Sequence, residues 1–168
     1  MATSMFVMFD NIEGECQDIG HKKWCEITSL SQSFKNKAVP PPLNSTSNPV
    51  GTTFKPEAIA VKKIVDRASG ELMRKCWECE TLDKVVIECC RASGPPYSNE
   101  PIKYFTIELI DVTIKEFEFE VDEGDLVTED LKLEADGATY IYTEMSKRGK
   151  ALPFHEAPVN TGTAYGDE

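Results

Sequence analysis

Short runs of clustered or alternating hydrophobic residues recur along the chain and predict β-strands, because side chains point to opposite faces of a strand with a period of two. The first predicted strands lie in the segments "MFVMF", "HKKWCEITSLSQSF", "AIAVKKIV" and "KVVIECCRA". The last of these is followed by the turn-forming sequence "SGPPYSN". The first hundred residues are therefore predicted to contain mainly β-structure.

A helix is predicted where this period changes. Four hydrophobic positions are spaced i, i+4, i+8 and i+11 and share one helix face; they are Ala68, Leu72, Cys76 and Cys79. Asp66 or Ser69 can cap the start of this helix, although Gly70 weakens its first turn.

The run from Ile102 to Asp122 predicts a strand that bends. Its hydrophobic positions follow a period of two but change parity twice, near Leu109–Ile110 and near Lys115–Glu116. Such changes indicate β-bulges or bends, or a tight turn at the second position. Strands that curl around a closed barrel need these features.

The C-terminal part is predicted as a hairpin followed by a tail. The segments "DLVTEDLKLEA" and "ATYIYTEM" meet at the turn sequence "ADG". Residues 147–168 are predicted to form a loosely structured, extended tail. With about seven short strands and one helix, the predicted fold is mainly β: an antiparallel β-barrel of two sheets with one flanking α-helix, formed as a single domain by residues 1–146.

A long loop is predicted at residues 35–53. Its sequence, "KNKAVPPPLNSTSNPVGTT", contains four prolines and no hydrophobic period. Prolines remove backbone donors and restrict φ, so this segment is neither a central strand nor a helix. A loop of this length within a compact domain is unusual unless it has a function or is disordered.

The charge balance excludes two classes of partner. The chain has 18 Lys and Arg residues against 29 Asp and Glu residues, a formal net charge of -11 at pH 7. This charge repels phosphate backbones and anionic lipids, so we expect neither nucleic-acid binding nor membrane insertion. The first residues, "MATSMFVMFDNIEGE", fit neither a signal peptide nor a transmembrane helix, and we expect synthesis and folding in the cytosol.

The six cysteines are expected as thiols in that reducing compartment. A zinc site built from Cys76, Cys79, Cys89 and Cys90 would need four converging sulfurs, but adjacent residues of a strand point to opposite faces. Cys76 and Cys79 instead continue the hydrophobic helix face, where free cysteine behaves as a small hydrophobe. A redox motif would precede a helix rather than end one. We therefore predict no metal or cofactor ligands.

The other polar residues favour a protein without catalytic residues. His21 and His155 are the two histidines, and His21 is interpreted as a turn contact of nearby Asp18. The chain lacks a nucleophile elbow, a phosphate loop and a zinc-protease motif. The alternating glutamates of residues 116–120 are interpreted as a solvated strand face rather than an acid–base pair.

Four segments, in this order and at these separations, resemble the haemolysin-coregulated protein (Hcp) family, the inner-tube subunits of bacterial type VI secretion systems. The segments are "IEGECQDIGHKKWCEITSLSQSF", "IAVKKIVDRASGELMRKC", "YFTIELIDVTIKEF" and "EDLKLEADGATYIYTEM". They carry the Gly14–Glu15 turn that leads by Asp18 and His21 into a strand, the Asp66-x-x-Ser69-x-x-Leu72 helix start, and the strands Leu109-x-x-Val112-x-Ile114 and Glu129-x-Leu131-x-Leu133. Together they cover most of residues 5–145.

This resemblance implies a β-barrel subunit with one helix on its flank that assembles into a six-membered ring with an open centre. Rings of this kind are expected to stack into a tube that a contractile sheath drives out of the cell, sometimes with effectors in the lumen. The implied partners are further copies of the chain and the sheath, spike and effector proteins. The resemblance also implies a subunit that is cytoplasmic before assembly and is then secreted by the apparatus without a signal peptide.

The long loop at residues 35–53 matches the loop that, in the family, reaches toward the neighbouring ring. We hypothesise that residues 39–50 mediate ring stacking and that the prolines stiffen this segment, so that docking costs less entropy. The residues assigned to this ring-stacking loop are Val39, Pro41, Pro42, Asn44, Ser47, Pro49 and Val50.

The alternative is an Hcp-like secreted effector or cargo adaptor that does not build long tubes. The two hypotheses differ in the expected particle: a tube subunit forms a stable six-fold particle, whereas an adaptor is a monomer.

Overall fold

The structure, a computed structural model, describes residues 3–35, 57–92, 101–145 and 151–160. These residues contain seven strands and one helix: β1 (Thr3–Phe9), β2 (Cys25–Ser31), β3 (Ile59–Ile64), α1 (Ser69–Trp77), β4 (Thr81–Arg91), β5 (Ile102–Glu120), β6 (Thr128–Met145) and β7 (Ala151–Asn160).

The strands pair as one continuous antiparallel sheet that closes on itself. The order is β3-β2-β1-β4-β5-β6-β7, and an additional pairing between β3 and β6 closes a six-stranded barrel. One edge of β6 serves two partners, because its first part pairs with β3 and its second part with β7. The prediction of an antiparallel β-barrel with one flanking helix is therefore confirmed, although the strands form one continuous sheet rather than two.

The barrel interior is filled by the inward-facing residues that the alternating pattern supplies. On β1, for example, Val7 and Phe9 are buried in the main core, whereas Phe6 faces the outside of the barrel. The largest hydrophobic residues of this core that are fully buried are Val7, Phe9, Ile59, Val61, Leu72, Val85, Ile87, Leu109, Leu131 and Leu133.

Strand β5 changes its inward face twice, as predicted. Ile107 and Leu109 are buried first, then Val112 and Ile114, and Phe117 packs against the core next. The first change coincides with Asp111, whose φ is 50°. The second is a register shift against β6 between residues 114 and 116. These features bend one strand of 19 residues around the barrel.

The predicted hairpin at "ADG" is wrong, because β6 runs without interruption through this sequence. Gly137 pairs with Ile110 of β5 on one side and Asn160 of β7 on the other. The reversal lies earlier, between β5 and β6, where Gly124 has a φ of 89° and the Asp125 amide donates to the Asp122 carbonyl over 3.0 Å. Because Gly137 has a paired strand on each side, it lies within the sheet, and the cross-strand pairing outweighs its tendency to form a turn.

The region predicted as a loose tail, residues 147–168, differs in its central part. Residues 151–160 form β7, which pairs with β6 along the register Tyr140↔Ala157 and Tyr142↔His155. Pro153 and Pro158 lowered its strand propensity in the sequence, but proline is compatible with a strand at the edge of a sheet. The strand thus extends the sheet beyond the closed barrel.

Helix α1 packs against the barrel through the predicted hydrophobic stripe, with one exception. Ala68 and Leu72 are buried in the core and Cys76 packs against it. Cys79 lies beyond the helix end, is exposed and has a φ of 56°. Before the helix, Asp66 Oδ1 accepts a hydrogen bond of 2.9 Å from the Ala68 amide, so this carboxylate satisfies a backbone donor at the helix start.

Candidate functional site

The residues predicted to form the ring-stacking loop lie outside the described residues. The clearest concentration of polar chemistry within the described ranges is elsewhere, between the β1–β2 connection and the outer face of the barrel. We call it the His21 cluster; its members are Asp18, His21, Glu88, Cys90 and Lys103.

The β1–β2 connection folds back on itself and covers the outer face of β1 and β4. The Gly14 amide donates to the Lys23 carbonyl over 2.7 Å, and the Cys16 amide to the Trp24 carbonyl over 2.9 Å. A side chain at position 14 would place its Cβ 2.3 Å from the Trp24 carbonyl oxygen. Glycine is therefore required for this close approach of two backbone segments.

This folded connection places the imidazole of His21 against the aromatic residues outside the main core. The ring stacks on Phe6 of β1 with a centroid separation of 4.1 Å and meets Trp24 edge-on at 4.9 Å. Only 2% of His21 is exposed. The packing fixes the direction in which both ring nitrogens point.

Both nitrogens of His21 face carboxylates. Nδ1 lies 2.8 Å from Asp18 Oδ2, which confirms the predicted turn contact, and Nε2 lies 2.6 Å from Glu88 Oε2 on β4. Lys103 of β5 donates to the other oxygen of Glu88 over 2.8 Å. Cys90 Sγ lies 4.0 Å from His21 Nε2.

Sequence reasoning missed Glu88, Cys90 and Lys103 as neighbours of His21. One signal was present: Glu88 is the single charged residue between Val85 and Cys90, in a run that is otherwise hydrophobic. A buried charge needs a partner, so this position indicated a polar contact. The partner is 67 residues away in sequence and could not be identified without the fold.

The electrostatics of the cluster follow from these contacts. The hydrogen bond with His21 lowers the pKa of Asp18. Burial, followed by the charge of Glu88, raises the pKa of Cys90 to about 11. The sulfur is therefore a protonated thiol at neutral pH in the absence of a further cation.

Cys90, His21 and Asp18 follow each other in the contact order of a cysteine-protease triad, but the arrangement does not support nucleophilic catalysis. A nucleophilic cysteine is a partially exposed thiolate, whereas Cys90 is 1% exposed and its pKa is raised. His21 Nε2, the ring nitrogen nearest to the sulfur, already contacts the Glu88 carboxylate. The cluster holds the connection to the barrel and offers donor atoms to an ion rather than access to a substrate.

The four cysteines considered for a zinc site in the sequence do not form one. Cys76 packs against the main core, Cys79 is exposed, and Cys89 and Cys90 are buried on β4. Across the described ranges, the group of His, Cys, Asp and Glu side chains that is close enough to share a metal ion is His21, Glu88 and Cys90, with donor atoms within 4.8 Å of one another.

A second feature of the surface is a hydrophobic barrel end. Phe119 and Val121, after the last inward position of β5, are 63% and 57% exposed. Leu126 and Ile64 are also exposed, and these two residues line a depression whose acidic side chains are Glu120, Asp122 and Asp125. We define these four hydrophobic residues as the apolar end. The glutamates of residues 116–120 are exposed as predicted.

Comparison with known proteins decides the family. A sequence model of the family described as "Type VI secretion system effector, Hcp" matches residues 6–144. The chain belongs to the Hcp family. Its resemblance to that family, carried by the four segments of the sequence, is therefore confirmed, and its role is that of an Hcp protein of type VI secretion.

Solved structures agree with this assignment at the level of the fold. A structure described as a type six secretion system protein has a TM-score of 0.79 and 19% identity over 94% of this chain and 93% of the other. A type VI secretion system effector from Yersinia pestis has a TM-score of 0.71 and 21% identity, over 93% and 98%. Hcp1 from Salmonella typhimurium has a TM-score of 0.72 and 17% identity, over 96% of each chain.

No curated protein sequence matches this Hcp-family chain. Among its described residues, no helix has the length and apolar character needed to cross a membrane.

Proposed function

We propose that this protein is a structural tube subunit of a type VI secretion system, which self-assembles into hexameric rings that stack into a tube for effector delivery. The observation that carries the proposal is the Hcp family match over residues 6–144, together with a closed barrel and one flanking helix. In this function the chain has no catalytic step. Its partners are further copies of itself and the sheath, spike and effector proteins.

A closed ring requires two different patches on each subunit that fit each other after rotation. The apolar end is one candidate patch, because exposed hydrophobic side chains grouped on a surface mark interaction sites. Leu126 is 69% exposed and Phe119 is 63% exposed, although both are large hydrophobic residues. Burying them against another subunit would remove this apolar surface from water.

Stacking of rings is assigned to the loop of residues 39–50, with Val39, Pro41, Pro42, Asn44, Ser47, Pro49 and Val50 as contact residues. The support is the family assignment and the proline content of the segment. Prolines reduce the number of conformations of the free loop, so less entropy is lost when it docks.

Export follows from the same assignment. A tube subunit is made in the cytoplasm, joins the growing tube and leaves the cell with it. Secretion should therefore require an intact type VI apparatus, and culture supernatants of cells with and without the sheath test this requirement.

The mass of the purified particle tests ring formation. Size exclusion with light scattering should give about six times the chain mass of 18.8 kDa, and electron microscopy should show annuli with an open centre. A monomer at high concentration would reject the tube function and support the alternative, an Hcp-like effector or cargo adaptor that does not build long tubes.

The stacking loop is tested separately. Deleting residues 41–48 should leave hexamers intact while abolishing tubes and secretion. A variant in which only Pro41 and Pro42 are replaced by glycine keeps the loop length and tests the prolines: we expect rings that stack weakly. Unchanged tube assembly by the deletion variant would reject the loop assignment without affecting the ring.

A further inference from the structure

The His21 cluster combines three kinds of side chain that bind metal ions in proteins. It gathers an imidazole, a carboxylate and a thiol in a site where all three residues are at least 95% buried: 2% of His21, 5% of Glu88 and 1% of Cys90 is exposed. Their donor atoms lie within 4.8 Å of one another. Nitrogen, oxygen and sulfur donors in this combination suit a borderline cation such as zinc.

We propose that His21 Nε2, Glu88 Oε2 and Cys90 Sγ form a binding site for a divalent zinc-like ion that joins the β1–β2 connection to β4. The site is independent of ring or tube formation. One donor comes from the β1–β2 connection and two come from β4, so the ion links the connection to the barrel.

The distances are close to those of a tetrahedral site. Bonds of about 2.0 Å to nitrogen and oxygen and about 2.3 Å to sulfur place neighbouring ligand atoms roughly 3.3–3.5 Å apart. Cys90 Sγ is 4.0 Å from His21 Nε2, and Glu88 Oε2 is 2.6 Å from the same nitrogen. The two separations from His21 Nε2 therefore differ from tetrahedral values by roughly 0.5–0.7 Å, and the donor atoms of Glu88 and Cys90 lie within 4.8 Å of each other.

The surroundings orient the ligands as metal sites require. A metal-binding histidine usually donates its other ring nitrogen to a carboxylate or carbonyl, and His21 Nδ1 faces Asp18 Oδ2 at 2.8 Å. Lys103 holds the second oxygen of Glu88. Stacking on Phe6 fixes the plane of the ring.

The charge balance is also favourable. Sulfur binds a metal ion as the thiolate, so the proton of the Cys90 thiol is released when the cation enters. The thiolate and the glutamate carboxylate then neutralise a charge of +2. Three protein donors leave a fourth position for water.

Cobalt binding by the whole purified protein tests the site. Metal-free wild-type protein titrated with Co²⁺ should develop thiolate-to-cobalt charge transfer and the visible bands of a tetrahedral ion, saturating near one equivalent per chain. Cys90→Ser should lose the charge-transfer band. Cys89→Ser is the matched control, since this neighbouring cysteine on β4 is also buried but lies outside the cluster, and it should keep the band.

X-ray absorption of zinc-loaded wild-type protein provides a measurement that needs no variant. We expect one sulfur at about 2.3 Å and the remaining ligands as nitrogen or oxygen at about 2.0 Å. A zinc shell with no sulfur or with several sulfurs would overturn the proposal. So would a cobalt band that persists in Cys90→Ser, or the absence of any thiolate band in the wild type.

Discussion

Lys63 and Glu129 are cross-strand partners on β3 and β6, and their side chains form an ion pair inside the barrel at the seam that closes the sheet. Neither side chain is exposed. Lys63 also donates to Asp66 Oδ1 over 2.8 Å, and Ser69 donates to Glu129 Oε1 over 3.0 Å. The same buried charges therefore connect the barrel seam to the start of α1.

Removing one member of this pair should be strongly destabilising. Lys63→Met leaves Glu129 buried without a cation, and we expect the free energy of unfolding to fall by about 3–5 kcal/mol. Urea denaturation at fixed protein concentration measures the change. Lys132→Met is the control, because its pair with Glu116 is about half exposed and its loss should change the free energy of unfolding much less. Equal effects of the two variants would contradict a stabilising role for the buried pair.

Two glycines should respond in opposite directions to the same substitution. Gly14→Ala places a Cβ against the Trp24 carbonyl and should destabilise the protein, because backbone atoms of the folded connection must move. Gly70→Ala lies in α1 with open space around it and should stabilise the protein by roughly 0.5–1 kcal/mol. Thermal denaturation of both variants compares them directly. A stabilising Gly14→Ala would show that the connection is loosely packed.

Stability should fall at alkaline pH, partly through Cys25. Burial, followed by the charge of Asp66, raises the pKa of Cys25, so the folded protein retains a proton that the unfolded chain loses. The stabilising contribution is complete below the unfolded thiol pKa of about 8.5 and is lost as pH rises toward the folded value. Within that window one thiol contributes a slope of about 1.4 kcal/mol per pH unit.

Cys25→Ser tests this slope, because serine has a similar shape and keeps a donor for Asp66. Its free energy of unfolding should parallel that of the wild type at neutral pH and fall less steeply above pH ~8.5. Curves that remain parallel up to pH 10 would mean that this thiol does not contribute.

The apolar end should control association rather than folding. Leu126→Asp introduces a charge at a side chain that is 69% exposed, so the subunit should fold normally but form fewer hexamers. Sedimentation velocity measures the ratio of hexamer to monomer. Ile19→Asp, at a residue of the β1–β2 connection that is 81% exposed, is the control. If only Ile19→Asp dissociates the particle, the interface lies on the connection instead.

Much of the barrel was predictable because strand and helix periods are local properties of the chain. The parity changes of β5 were visible in the sequence, since each inward position is hydrophobic and each shift leaves a break in the pattern. The stripe of α1 was visible for the same reason, except at Cys79, where the chain had already left the helix.

The sequence alone thus predicted the helix, most strands of the barrel, its antiparallel class and the family, because these depend on short-range patterns and on motif order. The tertiary structure decided that β6 continues through Gly137 and that residues 151–160 pair with it, because both depend on partners across the sheet. It also decided that His21 meets Glu88 and Cys90. Their proximity results from the way the β1–β2 connection folds over β4, and no local pattern specifies that contact.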